Sequence, residues 1–538
     1  MNKMRGKWLR ITVGALLCGA LVVPIAYANS EPGKPQRQVD VQLLGLNDFH
    51  GQLDITRKVN GKEAGRADYL ATYLKERQKQ NPNTLMVHSG DMVGASPPVS
   101  ALMQDEPTIE FLNTVGFDVG TLGNHEFDEG YKEMLRLIKG GRHDATGDFA
   151  GADFPYLAAN VVKKKTGKRL LRGHVTKKVK GVPIGFIGVV TKDAPKAATP
   201  TAVKGVKFLD ETKVINREVK KLKREGVRSI VVLAHEGGFQ DEKTGAINGR
   251  INDIAKKVNK DVDVIMAGHS HSNLNTTVNN KLIVQANCYG TAFSDVDLTI
   301  DRRTGDIVKK KANVVNTYHK GVTPDPKIAA LIKKYQDKVA PIINKKVGES
   351  ANELTRTGSA AGESQLGNLV ADAQRWKMKT DISLMNPGGI RSDLNKGKVT
   401  WGDLYTIQPF NNNMVSMKLT GKQLKQLLNQ QWPEGSNEPR ILQISGFTYK
   451  YDPSRPAKDR VTDLKKADGT PITDDQTLTA SANAFLSAGG DGFTVFKDAK
   501  DKVVGPVDLD ALVDYIKQLP QPFTAKIDGR IQKVGKGK

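Results

Sequence analysis

FDVGTLGNHEFDEG, residues 117–130, is the stretch that decides the fold of this 538-residue chain. A short apolar run breaks off directly into Asn124, His125, Glu126 and Asp128, side chains with no place inside a buried strand. The same device recurs four times. VQLLGL runs into NDFHG (47–51), TLMVH into SGDMVG (89–94), SIVVLA into HEGG (235–238) and DVIMAG into HSH (269–271). None of the runs alternates strictly, the pattern of strands covered on both faces. Between them, ADYLATYLKERQ and ETKVINREVKKLKRE have the apolar spacing of amphipathic helices. Strands alternating with helices predict a layered α/β domain. Groups that follow the strands then gather at the carboxyl edge of the sheet.

Together the run ends supply Asp48, His50, Asp91, Asn124, His235, His269 and His271. These oxygen and nitrogen donors suffice for two divalent cations, and two adjacent metals imply hydrolysis of a phosphate ester. Helix capping or turn formation would account for Asp48 and Asp91 alone. It does not account for strand-end histidines, and five of the nine histidines, His125 included, fall within the five motifs. Mixed imidazole and carboxylate donors suit zinc, manganese, iron or cobalt better than magnesium or calcium.

The chain opens with a basic start, the apolar stretch ITVGALLCGALVVPIA and AYA before Asn29, the pattern of a secretory signal peptide over residues 1–28. Its removal leaves Cys288 as the one cysteine, so no intramolecular disulfide is expected. A bacterial protein that is secreted or held in the cell envelope follows, with no integral membrane association after cleavage. The formal net charge is +23, which attracts anions and polyanionic surfaces such as a cell wall. Specific nucleic-acid binding is not expected. The lysines of VVKKKTGKR, REVKKLKRE and LIKKYQDK read as solvated helix faces, with no aromatic platform for bases.

The metal-type motifs stop near residue 300. GVTPDP marks a loop, and KIAALIKKYQDKVAPIIN carries apolar residues at helical spacing, ended or kinked by Pro341. Residues 323–347 therefore read as a linking helix between a domain at 38–322 and a second, α+β domain at 348–530. In the second domain GESQLGNLVADAQRW reads as a helix opened by a polar turn. DISLMNPGGIRSDL reads as a buried strand entering a glycine turn. The glycines of NPGGIR let backbone approach a ligand, and Arg391 can fork onto a phosphate or a ribose.

The five ordered metal motifs resemble the calcineurin-like metallophosphoesterase domain, an α/β sandwich. With the second half included, the chain resembles the secreted bacterial 5'-nucleotidase family over about residues 38–530. The resemblance implies that Asp48, His50 and His271 hold one metal, and that Asn124, His235 and His269 hold the other. Asp91 would bridge them. His125 would contact the phosphate, oriented by Asp128. It further implies that Asn386 and Arg391 contact a nucleotide, that Phe485 stacks on the base and that Asp491 accepts from the ribose hydroxyls. Two positions depart from the family pattern. Gly362 stands where some members have an arginine, with Arg356 as a substitute by another loop path. Ile441 stands where the base clamp has its second aromatic, with Phe447 as the alternative wall. The function implied is 5'-nucleotidase activity. A 2',3'-cyclic nucleotide, a UDP-sugar or a dinucleotide is the alternative substrate of the same metals, and a non-catalytic nucleotide or wall-polymer binder is the alternative of another class.

Overall fold

Each apolar run that ends in a polar group is a strand in the computed structural model, which describes residues 37–535 apart from 199–200, 242 and 434–438. The signal peptide expected at 1–28 lies outside the described residues. The five strands are Gln38–Leu46, Thr84–His88, Val119–Thr121, Ser229–His235 and Val264–Met266. They fall into two six-stranded sheets. In the first, Gln38–Leu46, Thr84–His88 and Val119–Thr121 run parallel. In the second, Val182–Val190, Ser229–His235, Val264–Met266 and Lys281–Ala286 run parallel.

The uninterrupted apolar runs are explained by four layers. Val41, Leu43, Leu85 and Val87 of the first sheet share one core with Phe186, Val231, Leu233 and Val264 of the second. The alternate residues Leu44, Leu46 and Met86 face a different core, built with Leu70 and Leu74 of the helix Ala67–Gln80 and Phe111 and Leu112 of the helix Glu106–Val115. On the far side Ile230 and Val232 meet Val214, Ile215 and Ile251 from the helices Glu211–Arg224 and Arg250–Lys257. Both faces of both sheets are thus covered, an α/β sandwich.

The linking helix is Pro326–Ile343, inside the expected 323–347 segment. Asp325 caps it by accepting from the Ile328 amide at 3.1 Å. Pro341 lies within it, two residues before its end. Ile328, Leu331, Ile332, Tyr335 and Val339 bury into the first domain's outer core. The second half is built on a mixed five-stranded sheet in the order Gln443–Ser445, Ile382–Met385, Thr477–Asn483, Asn413–Thr420, Lys500–Val507. Gln365–Met378 is the expected helix, and Ser364 Oγ caps it by accepting from the Gly367 amide at 3.0 Å. Among the described residues no helix is long and apolar enough to cross a membrane.

One expectation fails. VVKKKTGKR is a strand and turn, not a helix face: Val161–Lys163 pairs antiparallel with Val206–Phe208. Val161 and Val162 are buried and β-branched, and Gly167 reverses the chain at φ +65°.

Candidate metal centre

Every expected ligand emerges where its strand ends, so the parallel strands of both sheets deliver their polar ends to one place. Donor atoms of Asp48, His50 and His271 lie within 4.8 Å of one another, as do those of Asp91, His235 and His269. A third group joins His50, Asp91 and His125. Asp91 is common to two groups, as a bridging ligand must be. Its Oδ1 accepts from the His125 amide at 2.8 Å, while Oδ2 lies 3.7 Å from His50 Nε2 and 3.1 Å from His235 Nε2. Asn124 Oδ1 lies 3.1 Å from His235 Nε2.

The histidines are oriented from behind. His50 Nδ1 donates to the Gly94 carbonyl at 2.8 Å and His235 Nδ1 to the Ser89 carbonyl at 2.9 Å. Those bonds turn both Nε2 atoms toward Asp91, the arrangement that fixes a ligating tautomer. Asp48 accepts from the His269 amide at 2.9 Å and from Asn47 Nδ2 at 2.7 Å. Asp48, His50, Asp91, His269 and His271 all have positive φ, from 50° to 76°. That left-handed region is one that Asp, Asn and His tolerate better than other non-glycine residues.

The buried carboxylates and imidazoles of the cluster shift one another strongly. Burial pushes Asp48 up to about 7, opposed by His235 and aided by Asp91. Burial opposes a charged His235, yet Asp91 and Asp48 outweigh it and hold His235 up to about 10. Burial keeps His50 and His271 well below the usual imidazole range, and burial with the His235 charge takes His269 down to about 3. His50, His269 and His271 are thus neutral imidazoles beside buried carboxylates, the state that binds cations, while His235 would give up its proton to a cation bound there. The donor set therefore fits divalent cations.

His125 faces the second half of the chain. Its Nδ1 is 2.8 Å from Asp128 Oδ2, and its ring stacks on Phe410 at 5.8 Å and 29°. Burial opposes its charge, but Asp128 and Asp91 raise it above the ordinary value. A cavity of about 880 Å³ opens here, lined by Asp91, Asn124, His125, His269 and His271 from the first half. Asn386, Arg391, Phe485 and Asp491 line it from the second. Asn386 Nδ2 donates to Asp491 Oδ2 at 2.9 Å, and Asn386 Oδ1 accepts from Asn483 at 3.0 Å. Arg391 has Nε and Nη2 buried without a partner among the described residues.

Phe447 does not belong here. It is 1% exposed and packed with Tyr449 and Tyr451 in the core of the second half. It points inward because burial alternates along its strand, Phe447–Tyr451. Phe410 and Tyr405 are the aromatics that line the cavity with Phe485, and of the two Phe410 stacks on His125. It was present in TIQPFNNN, but no spacing in that loop distinguishes it. The two departures prove to be one feature: Gly362 has φ +92°, and a Cβ there would meet the Ile441 side chain at 2.8 Å. Arg356 does reach the cavity, with Nη1 donating to the Ile390 carbonyl at 2.9 Å.

A second missed residue is Glu126. Its buried carboxylate accepts from the amides of Asp91 at 3.0 Å, Met92 at 2.8 Å and Gly123. It thereby ties the loop carrying Asp91 to the loop carrying Asn124 and His125. Its place inside GNHE was the signal.

Comparison with known proteins agrees with this layout. Residues 41–273 match the calcineurin-like phosphoesterase family, and residues 346–498 match the 5'-nucleotidase C-terminal domain. Endonuclease YhcR of Bacillus subtilis is 43% identical over 513 residues, covering 93% of this chain but 41% of its own length. A cell wall protein of Listeria monocytogenes is 35% identical over 582 residues, covering 98% of this chain and 74% of its own length. The crystal structure of a 5'-nucleotidase precursor from Thermus thermophilus superposes with a TM-score of 0.79 at 27% identity, over 93% of this chain and all of the other.

Proposed function

The chain belongs to the family that joins a calcineurin-like phosphoesterase domain to a 5'-nucleotidase C-terminal domain, a metal-dependent phosphoesterase class, and from that premise we propose that it is a secreted dimetal 5'-nucleotidase of the bacterial envelope. It would release phosphate from nucleoside 5'-phosphates. The observation that supports this most is the shared cavity, in which the metal-type residues and the nucleotide-type residues face one another.

Two cations held by Asp48, His50, Asp91, Asn124, His235, His269 and His271 would polarise the phosphoryl oxygens and supply a nucleophilic water at neutral pH. The remaining work falls to side chains. His125, held by Asp128, places a charged ring beside the phosphoryl group and stabilises the charge that develops in the transition state. Arg391 offers unpaired N–H groups to the phosphate, with Arg356 beside it. Phe410 and Phe485 wall the base, and Asp491, oriented by Asn386, accepts from the ribose.

A second reading keeps the metals and changes the substrate. A cavity of about 880 Å³ is of the usual size for a small-molecule site and has room for a mononucleotide or a larger phosphoester. Cyclic nucleotides, UDP-sugars and dinucleotides are the candidates, using the same metals. Relatives carry the names endonuclease and trifunctional nucleotide phosphoesterase, both consistent with broader phosphoester cleavage. The relative described as a cell wall protein supports the envelope location.

The test is phosphate release by residues 29–538 with manganese or zinc. AMP, ATP, a 2',3'-cyclic nucleotide and a UDP-sugar are compared, with His125→Ala as control. Hydrolysis of AMP, lost in the variant, supports the nucleotidase reading. Activity confined to the cyclic or sugar substrate overturns the substrate and keeps the chemistry. No activity on any of them, with two metals bound, favours a binding protein.

A further inference from the structure

The positive charge of this chain is concentrated. Residues 154–209 hold thirteen Lys and Arg and one acid, Asp193, so about half of the net charge of +23 resides in a tenth of the sequence. Folding concentrates it further. Val161–Lys163 pairs with Val206–Phe208, bringing together two basic runs about forty residues apart. The turn after the first strand closes through the Gly167 amide on the Lys163 carbonyl and the Lys163 amide on the Lys168 carbonyl.

The result is a two-stranded ribbon carrying Lys163, Lys164, Lys165, Lys168, Lys204 and Lys207, all exposed. None of the six makes an ion pair among the described residues. Some surface lysines elsewhere are paired, Lys221 with Glu218, Lys223 with Asp261, Lys333 with Asp337 and Lys377 with Asp514, and those without a pair, such as Lys213 and Lys309, are not gathered on one two-stranded ribbon. An ordinary solvated face mixes signs. This one does not, and the close approach of like charges is relieved only by a bound polyanion or by counter-ions.

The ribbon adjoins the cavity without lining it. Ala197 and Ala198 are on the cavity wall, and Gly205 lies against Tyr131, which opens the helix carrying Glu133 and Met134 of the same wall. A polymer held on the ribbon therefore lies beside the cleft.

The chemistry selects the partner. Every aromatic in the basic segment (Phe154, Tyr156, Phe186 and Phe208) is buried, so no ring is offered to a base. Arg169, the one arginine of the turn, is committed to Glu218. Six point charges without stacking rings or guanidinium forks contact phosphates alone. We propose that this lysine ribbon is a docking surface for a linear, base-free phosphodiester polymer of the polyol-phosphate kind found in cell walls. The inference rests on the envelope location proposed above and gives that location a surface.

The experiment measures binding of the full mature chain to immobilised poly(glycerol phosphate), and to single- and double-stranded DNA of equal phosphate number, across a salt series. The test variant carries Lys→Gln at the six ribbon positions. The control carries Lys→Gln at Lys213, Lys220, Lys256, Lys257, Lys260 and Lys309, also exposed. With a slope of about 0.7–0.9 per phosphate contact, the ribbon variant should flatten log K against log salt by about 4–5 and bind at least ~10-fold more weakly at ~0.1 M salt. AMP hydrolysis should be unchanged in both variants, which separates failure of this inference from failure of the nucleotidase reading. A half-set of Lys163, Lys164 and Lys165 should give about half the slope change and guards against misfolding of the full set. Equal loss in the control overturns the proposal, as does an unchanged slope. Tighter binding to either DNA than to the base-free polymer also overturns it, in favour of a nucleic-acid surface.

Discussion

Replacing Glu126 with Ala tests whether the metal centre depends on a carboxylate that touches no cation. The side chain gathers three buried backbone N–H groups from two loops. Each buried donor left without a partner costs about 1–3 kcal/mol. Water entering the vacated space repairs part of that, so the expected loss is about 2–5 kcal/mol. The second consequence is geometric. Gly123 and Asp91 are so close that a Cβ on Gly123 would lie 2.1 Å from Asp91 Oδ1, and Glu126 holds that approach. Without it the Asp91 and Asn124 loops separate, and metal affinity should fall about 10–100-fold, the usual effect of removing an orienting group behind a ligand. Calorimetric unfolding of the metal-free protein reads the first quantity. Manganese titration by paramagnetic resonance reads the second, independently of turnover. Glu129→Ala, an exposed neighbour, is the control and should change stability by less than ~0.5 kcal/mol. If Glu126→Ala matches that control in both stability and metal affinity, the two loops are held by something else and the reasoning is wrong.

Further outcomes follow from other parts of the fold. Burial opposes a charged Glu218, but Arg169 and His174, with Lys221, more than offset it and hold its carboxyl down to about 2. The folded value lies below the unfolded one of about 4.3, so this stabilisation is complete above that pH and is lost as pH falls toward 2. After allowance for its partly exposed partners, Glu218→Gln should cost about 2–3 kcal/mol at pH 7 and about half that at pH 3; urea curves showing a constant gap would count against it. Phe410→Ala should raise KM for AMP by ~10-fold through lost base stacking. Phe447→Ala should instead lower stability by about 3–5 kcal/mol and leave KM alone; the opposite pattern would return Phe447 to the clamp. Gly362→Ala should cost at least ~1 kcal/mol in torsion plus the clash with Ile441. The double variant with Ile441→Ala should recover only the steric part, as thermal melts would report.

The layered fold and the metal residues were legible because both follow from strands. A strand buried on both faces shows as an unbroken apolar run, and the residue after it must sit at the sheet's edge. Asp48, Asp91, Asn124, His235 and His269 were readable in that way. Glu126 was visible in its motif but silent about its role, since three N–H acceptor bonds depend on how two loops approach. Phe447 was misplaced because a sequence does not say which side of a strand faces a cleft and which a core, and Phe410 was passed over because it sits in a loop with no spacing to mark it. VVKKKTGKR was misread because its lysines mask a period too short to distinguish a turn of helix from a strand. The pairing that makes it a ribbon comes from residues about forty positions away.

The left-handed torsions at Asp48, His50, Asp91, His269 and His271 restrict what these positions can become. A residue held there forfeits about 1–2 kcal/mol unless it is glycine, or an Asn, Asp or His whose short polar group finds a nearby backbone partner. Glutamate and cysteine have no such relief. At these five positions the loops are therefore selective about donors before any ion arrives, favouring short carboxylates, amides and imidazoles over thiolates. Hard and borderline cations are compatible with that alphabet, and thiophilic ones are not. Exchange of one ligand for another within the alphabet can retune the ion without rebuilding the scaffold, whereas a switch to sulfur ligation at these five positions would carry the torsional cost at each.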